Sequence, residues 1–265
     1  MKLTLDIENT VTKRDGKMHL DPFEPENSLT MIGVLTDQDV ERHFPFDHCD
    51  VPNQQHYYEQ VQWFLDEATI LICHNAAYDL MWLWESGFKY DGPVFDTMLA
   101  EYVLQRGIKE PLSLEACAER YDLDTKKQDT LKEYFKKGLS TRDIPYNELC
   151  EYLSADLHAT QQLSNKLVQR LYSPADAGLM DTVNLTNQVA VCLARIYQRG
   201  FTVDKSALET VRGEFEQERK QLIDDLQAHV RKLMGDTPIN LNSPEQLSWV
   251  IYSRKVKDKQ HWGNA

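Results

Sequence analysis

The sequence predicts an α/β domain built on a mixed sheet, followed by an all-α segment. Residues 3–8 alternate apolar and polar side chains, which is the pattern of a strand with one buried face. Residues 69–73 are continuously apolar, as in a strand covered on both faces of a sheet. From 97 to about 170 the apolar residues recur mostly at helical spacing, with polar loops between them. Strands that alternate with helices and then give way to helices are typical of a layered α/β domain.

The other elements follow from local periodicity and from turn residues. We predict strands at 17–20, 29–35 and 93–95, and helices at 56–68, 77–84 and 97–104. Asp96 and Thr97 precede the last of these helices, and Asp96 is expected to cap it rather than to bind a ligand. The first strands therefore predict an antiparallel or mixed ribbon at the start of the chain.

Residues 1–180 and 181–265 are predicted to be two domains. An apolar helix at 183–198 ends at Gly200, and a long amphipathic helix covers 204–233 with a charged outer face. Ser243 and Pro244 supply an N-cap and a first helical residue, so another helix is expected to begin there. The second segment is therefore interpreted as the helical opening of a further, incomplete domain.

Composition and charge restrict the classes of protein. The 265 residues are 42% hydrophobic and 27% charged, which is typical of a globular chain with a sizeable core. No stretch approaches the roughly 18 apolar residues of a membrane span, and five scattered cysteines without a CxxC motif indicate reduced thiols in the cytoplasm. The net charge of −13 argues against a basic DNA footprint, but it is compatible with a carboxylate site that binds divalent cations.

Four acidic residues stand out by their local structure. Asp6 and Glu8 are two apart on a strand, so their side chains share one face. Asp79 follows the buried strand 69–73, at the end of a strand where α/β sheets place ligands. Tyr152 and Asp156 are four apart and share one helix face. Taken singly, each has a structural alternative: a chance acidic pair, a helix cap, and a solvated helical acid.

Together these motifs resemble the DEDD superfamily of 3′→5′ exonucleases. The order D-x-E, then N-x-x-Y-D, then Y-x-x-x-D is similar to the proofreading domain of family-A DNA polymerases, and residues 95–104 and 113–115 extend the likeness. Glu151 stands where the histidine subclass has its histidine, and Tyr152 fits the tyrosine subclass. The resemblance implies a ribonuclease H-like mixed sheet flanked by helices.

The resemblance also extends to the end of the chain. Residues 242–247 resemble the opening of the family's polymerase domain, so no DNA synthesis is expected from these residues alone. Because only five residues precede the first motif, we expect a phage-type polymerase without a 5′-nuclease domain, or a trimmed chain. The expected location is the cytoplasm of a bacterium or of a phage-infected cell, with no membrane partner.

The activity that the resemblance implies is metal-dependent hydrolysis at the 3′ end of DNA. By analogy, Asp6 bridges two Mg²⁺ or Mn²⁺ ions, Glu8 and Asp156 complete one site, and Asp79 holds the second ion through water. Tyr152 orients the attacking water. The expected partners are a single-stranded or frayed DNA 3′ end and the remaining polymerase domain.

Two matters stay open from the sequence. Asn9, His74 and Asn75 are candidate substrate contacts, with capping and packing as equal alternatives for the last two. The fold could also serve as a non-catalytic scaffold for a polymerase, or as an RNA-trimming exonuclease of the same superfamily. All four acids and the tyrosine are present, which favours an enzyme over a scaffold.

Overall fold

Strand β1 (Lys2–Asn9) lies at the centre of a five-stranded mixed sheet. The strands of this sheet are β1, β4 (Leu29–Thr36), β5 (Glu41–Pro45), β6 (Ile70–Cys73) and β7 (Val94–Asp96), in the order β5-β4-β1-β6-β7. Strand β1 pairs antiparallel with β4 and parallel with β6. The computed structural model describes residues 1–123, 129–235 and 239–252. The predicted mixed sheet, with an antiparallel ribbon at its start, is confirmed.

Helices cover the two faces of this sheet. They are α1 (Gln55–Asp66), α2 (Ala76–Glu85), α3 (Thr97–Leu104), α4 (Leu114–Arg120), α5 (Asp129–Lys136), α6 (Tyr146–Leu171) and α7 (Leu179–Arg199). Helices α1 and α2 bury apolar side chains with Leu3, Leu5 and Ile7 of β1. Helix α6 packs against β1, β4 and β6 from the other face. The acidic residues of β1 therefore face α6.

Contacts along the chain define a first compact unit, residues 1–200, and a second, residues 201–265. Helix α7 belongs to the first unit, where it packs on α2, α3 and β7. The second unit contains α8 (Lys205–Met234) and α9 (Pro244–Tyr252), which contact each other. Whether the exonuclease part ends at 180, as the sequence predicts, stays a prediction.

Most predicted elements appear within one to four residues of their expected ends. Strand β5 was not predicted, and the turn-rich residues 13–16 belong to a separate two-stranded hairpin, β2 (Thr12–Arg14) and β3 (Lys17–His19). Strand β3 matches the strand predicted at 17–20, but β2 carries only polar residues, so apolar alternation could not reveal it. Within the described parts of the chain, no helix is long and apolar enough to cross a membrane.

Candidate active site

Asp6 and Glu8 project from the same face of β1. Their neighbours Leu5 and Ile7 are buried on the opposite face, whereas both carboxylates are only partly buried. In the register with β4, Asp6 lies opposite Gly33 and Glu8 lies opposite Met31. The strand therefore holds two acids side by side toward α6.

Gly33 lets α6 approach this face of the sheet closely. A Cβ atom at Gly33 would lie 2.7 Å from Leu153 Cγ and 2.9 Å from Leu157 Cδ1, closer than such atoms can pack. Both leucines are fully buried on the inner side of α6. Since Tyr152 and Asp156 each directly precede one of these leucines, this close contact places both beside the acids of β1.

Asp79 lies in the first turn of α2, and Asp96 fixes the start of that helix. The buried Asp96 carboxylate accepts hydrogen bonds from the backbone N–H groups of Asn75 (3.1 Å) and Ala76 (2.8 Å) at the start of α2. It also accepts bonds from the N–H groups of Met98 and Leu99, so the predicted N-cap of α3 is confirmed. One carboxylate thus joins two helix starts and orients the turn that carries Asp79.

Three of the four predicted acids meet in one cluster. Oxygen atoms of Asp6, Glu8 and Asp156 lie within 4.8 Å of one another. Loss of solvation and the charge of Asp156 raise the pKa of Asp6 to about 7. The same loss of solvation and the charges of Asp6 and Asp156 raise the pKa of Glu8 well above its usual range. Loss of solvation also raises the pKa of Asp156 to about 6.

Asp79 and Tyr152 border this cluster. Asp79 is 3% exposed, and its burial, together with the charge of Asp6, raises its pKa well above the usual range. The Tyr152 hydroxyl interacts with Asp156 one helical turn away, and burial and the charges of Asp156 and Glu8 raise its pKa. The phenol therefore keeps its proton near neutral pH and can donate a hydrogen bond.

The donor set fits divalent cations of the magnesium type. All the converging ligands are carboxylate oxygens, which hard cations prefer over the nitrogen and sulfur ligands typical of zinc. Among the described residues, none of the four acids forms an ion pair with a basic side chain. Their mutual repulsion is therefore left for bound cations or protons to offset.

The three candidate substrate contacts differ in what their side chains already do. The Asn9 amide accepts a hydrogen bond from the Tyr78 hydroxyl (2.6 Å) and donates to the carbonyls of Thr10 and Leu20. The His74 ring bonds the Thr97 hydroxyl at Nδ1 and the carbonyl of Leu112 at Nε2.

Asn75 has no such role in the structure. Its side chain is exposed and makes no capping bond, although the residue precedes α2 with a φ of 76°. Of the three candidates, Asn75 is thus the one whose amide is available to a ligand.

A five-stranded mixed sheet with two acids of this cluster on its central strand and the third on helix α6 is typical of a nuclease of the ribonuclease H-like fold. The family model of the 3′-5′ exonuclease found in type-A DNA polymerases matches residues 18–172, which include Asp79, Tyr152 and Asp156. The chain belongs to this 3′-5′ exonuclease family and is a hydrolase that acts on nucleic acid. Asp6 and Glu8 precede the matched range.

Bacterial DNA polymerases are among the proteins to which this chain is similar. DNA polymerase I of Synechocystis is 27% identical over 191 residues, and that of Chloroflexus aurantiacus is 26% identical over 247 residues. These matches cover 71% and 89% of this chain but only 18% and 25% of the two relatives. The chain thus spans a quarter or less of their length. The phage-type assignment expected from the sequence finds no support in these relatives.

Solved structures share the fold. The POL domain of Pol1 from M. smegmatis, in complex with DNA primer-template and dNTP, has a TM-score of 0.59 at 20% identity over 87% of this chain and 36% of that chain. Brucella melitensis NrnC with bound Mg²⁺ has a TM-score of 0.52 at 19% identity, covering 77% of this chain and 89% of NrnC. Both confirm the ribonuclease H-like fold predicted from the sequence.

Two residues that shape the site were not singled out from the sequence. Gly33 is an isolated glycine within an apolar strand, and such a glycine often marks the close approach of another backbone or side chain. This is a weak sequence signal for the contact with α6. Tyr78 was seen only as part of a motif, and its bond to Asn9 depends on a contact across 69 residues.

Proposed function

We propose that this chain removes nucleotides from the 3′ end of DNA by hydrolysis, using two divalent metal ions held by Asp6, Glu8, Asp79 and Asp156. The observation that carries the proposal is the meeting of Asp6, Glu8 and Asp156 within 4.8 Å without a paired basic side chain among the described residues. Carboxylates so arranged are stable as anions only with cations beside them.

The acids divide by position. Asp6, Glu8 and Asp156 form the tight cluster, and we assign them to one ion, with Asp6 shared with a second. Asp79 lies outside that cluster but close enough to Asp6 for the charge of Asp6 to raise the pKa of Asp79. We therefore assign Asp79 to the second ion. When bound, such ions activate water and stabilise charge on the phosphate and the leaving oxygen.

Three other side chains orient the water, the nucleotide or the loop that borders the site. Tyr152 keeps its proton and donates a hydrogen bond that orients the attacking water toward the scissile phosphate. In this proposal the exposed amide of Asn75, whose backbone N–H is held by Asp96 at the start of α2, contacts the terminal nucleotide. His74 does not contact the substrate in this proposal; its hydrogen bonds to the Thr97 hydroxyl and the Leu112 carbonyl fix the loop before α2.

The DNA preference rests on the relatives. Those described above are DNA polymerases I, and the proposed partners of this chain are accordingly a DNA 3′ end and a polymerase domain to which 181–265 contributes the first helices. The likeness to NrnC keeps an RNA-trimming activity as the second candidate. The two differ in the sugar that the site accepts.

A substrate panel tests the proposal. We expect 5′-labelled single-stranded DNA to shorten stepwise from its 3′ end in Mg²⁺, faster than RNA of the same sequence, and to stay intact with EDTA or with Asp6→Ala/Glu8→Ala. Glu59→Ala/Glu67→Ala removes two exposed carboxylates on or next to α1 and serves as the matched control with wild-type activity. Faster RNA shortening would support the second candidate, and DNA binding without cleavage by the folded wild type would support a scaffold.

A further inference from the structure

The hairpin of residues 12–19, here called the basic hairpin, stands out on the first unit. Its two short strands pair only with each other, in a sheet separate from the main one. Asp15 and Gly16 form its turn with φ values of 52° and 74°, the positive angles that a tight two-residue hairpin turn requires. An isolated two-stranded ribbon has little stability of its own, so contacts at its base must hold it.

Those contacts fix the base of the hairpin beside the candidate active site. The Tyr78 hydroxyl, adjacent in sequence to Asp79, donates to Asn9 Oδ1 (2.6 Å) and to the carbonyl of Leu20 (3.0 Å). Asn9 directly follows Glu8 and also donates to the carbonyl of Leu20 (3.3 Å). The two ends of the hairpin thus meet between the strand that carries Glu8 and the helix that carries Asp79.

The hairpin carries three basic side chains, those of Lys13, Arg14 and Lys17. Arg14 pairs with the buried Glu24. Lys13 and Lys17 are exposed, and neither side chain forms an ion pair or hydrogen bond with another residue that the structure describes. Lys13 is four residues from Asn9, and Lys17 is three from Leu20, so each lies at most about 14 Å from the base. These two lysines thus lack an ion-pair partner among the described residues, although the whole chain has a net charge of −13.

The same hairpin exposes apolar side chains. Met18 is 58% exposed and lies directly opposite Lys13 in the ladder, so the two share one face. Leu20, which follows at the base, is 48% exposed. Lys17, which pairs with Arg14, lies on the opposite face of the hairpin, next to the turn. A cation beside exposed apolar side chains suits a single nucleic-acid strand, in which a phosphate binds the cation and a base covers the apolar groups.

We propose that the basic hairpin binds the DNA strand a few nucleotides upstream of the 3′ terminus that enters the acidic site. This inference rests on the proposed function and adds to it the surface that holds the strand. Charge complementarity supports it: a polyanion that approaches a carboxylate-lined site needs cations beyond the site, and Lys13 and Lys17 supply them. Met18 contacts the base next to the phosphate that Lys13 binds, and Lys17 binds a phosphate from the other face of the hairpin.

The test compares Lys13→Gln/Lys17→Gln with Lys2→Gln/Lys89→Gln. The control pair is exposed and removes the same charge, but Lys2 lies at the far end of β1 from Glu8, and Lys89 precedes β7. Binding of a fluorescein-labelled dT12 is measured by anisotropy over a range of salt, with Ca²⁺ in place of Mg²⁺. Loss of two phosphate contacts should reduce the slope of log K against log[salt] by about 1.4 and weaken binding several-fold at low salt.

A second substrate separates this inference from the proposed function. The p-nitrophenyl ester of thymidine 5′-monophosphate is one nucleotide long and lacks the upstream phosphates that the hairpin lysines are proposed to bind. We expect the ratio of dT12 cleavage to ester cleavage to fall in Lys13→Gln/Lys17→Gln and to stay at the wild-type value in the control pair. An unchanged ratio and salt slope, with an active wild type, would overturn the hairpin inference. A wild type that cleaves neither substrate would instead overturn the proposed function.

Discussion

Replacing Asp6 with asparagine is expected to stabilise the metal-free protein. The Asp6 carboxylate is poorly solvated and faces Asp156, and together these raise its pKa from 3.8 to about 7. Each pKa unit corresponds to about 1.4 kcal/mol, so keeping this carboxylate ionised costs the folded state on the order of 4 kcal/mol. Asp6→Asn removes the charge at nearly constant volume, and most of this cost should disappear at pH 8.

The stabilisation should shrink as the pH falls. The folded state binds a proton at Asp6 more tightly than the unfolded chain does, so lowering the pH from about 7 toward 3.8 stabilises the wild type. The amide that replaces the carboxylate in the variant does not titrate, so a lower pH does not stabilise the variant through this position. Two pH units below the folded-state pKa correspond to roughly 3 kcal/mol, which is the expected loss of the variant's advantage between pH 8 and pH 5.

Urea unfolding in EDTA at pH 8 and pH 5, followed by tryptophan fluorescence, measures this difference. Trp63, Trp82 and Trp84 report on the first unit, where Asp6 lies. Asp37→Asn, which neutralises an exposed acid, is the matched control and should change the free energy of unfolding little at either pH. If Asp6→Asn is no more stable than the wild type at pH 8, or its advantage is equal at pH 5, the electrostatic reasoning is refuted.

Three further predictions concern the geometry and the protons of the site. Gly33→Ala forces a Cβ against Leu153, so it should lower the free energy of unfolding by about 1–3 kcal/mol and also lower the nuclease rate. Wild-type values for both quantities would contradict the close approach of α6. Asp96→Ala leaves N–H groups at two helix starts unpaired, so it should lower the free energy of unfolding by about 1–3 kcal/mol and weaken nuclease activity more than Asp37→Ala does. Equal effects of the two substitutions would refute the role of Asp96 in joining the two helix starts. Nuclease activity should fall as the pH drops from 8 through about 6, because protons compete with the metal for Asp6 and Asp156, and added Mg²⁺ should restore part of it; a rate independent of Mg²⁺ at pH 6 would contradict this.

Local patterns predicted the parts of the site that depend on near neighbours in sequence. The alternation on β1 places Asp6 and Glu8 on one face, and the spacing of four places Tyr152 and Asp156 together on α6. The N-cap role of Asp96 for α3 follows from the same local logic. That Asp6, Glu8 and Asp156 meet came from family resemblance, since no local rule relates residues about 150 positions apart.

The sequence alone does not predict contacts between residues that are far apart in the chain. Asp96 reaches back to Asn75 and Ala76 because β6 and β7 are parallel neighbours that end at the same edge of the sheet. Gly33 matters only because α6 crosses β4 at that residue, which no periodicity specifies. Residues 254–259 include four basic side chains, a pattern that favours contact with DNA or solvation of a chain end, and they lie outside the described residues.

Counting bound Mn²⁺ ions tests the central claim most directly. Electron paramagnetic resonance of free Mn²⁺ during a titration gives the number of tight sites for the wild type, for Asp6→Asn and for Asp37→Asn. Since Asp6→Asn is expected to be at least as stable as the wild type, unfolding cannot explain a loss of sites. We predict two tight sites in the wild type and in Asp37→Asn when thymidine 5′-monophosphate, which has no internucleotide bond to cleave, is present, and none in Asp6→Asn. An Asp6→Asn protein that binds as many ions as the wild type would contradict the assignment of the carboxylate cluster as the metal centre.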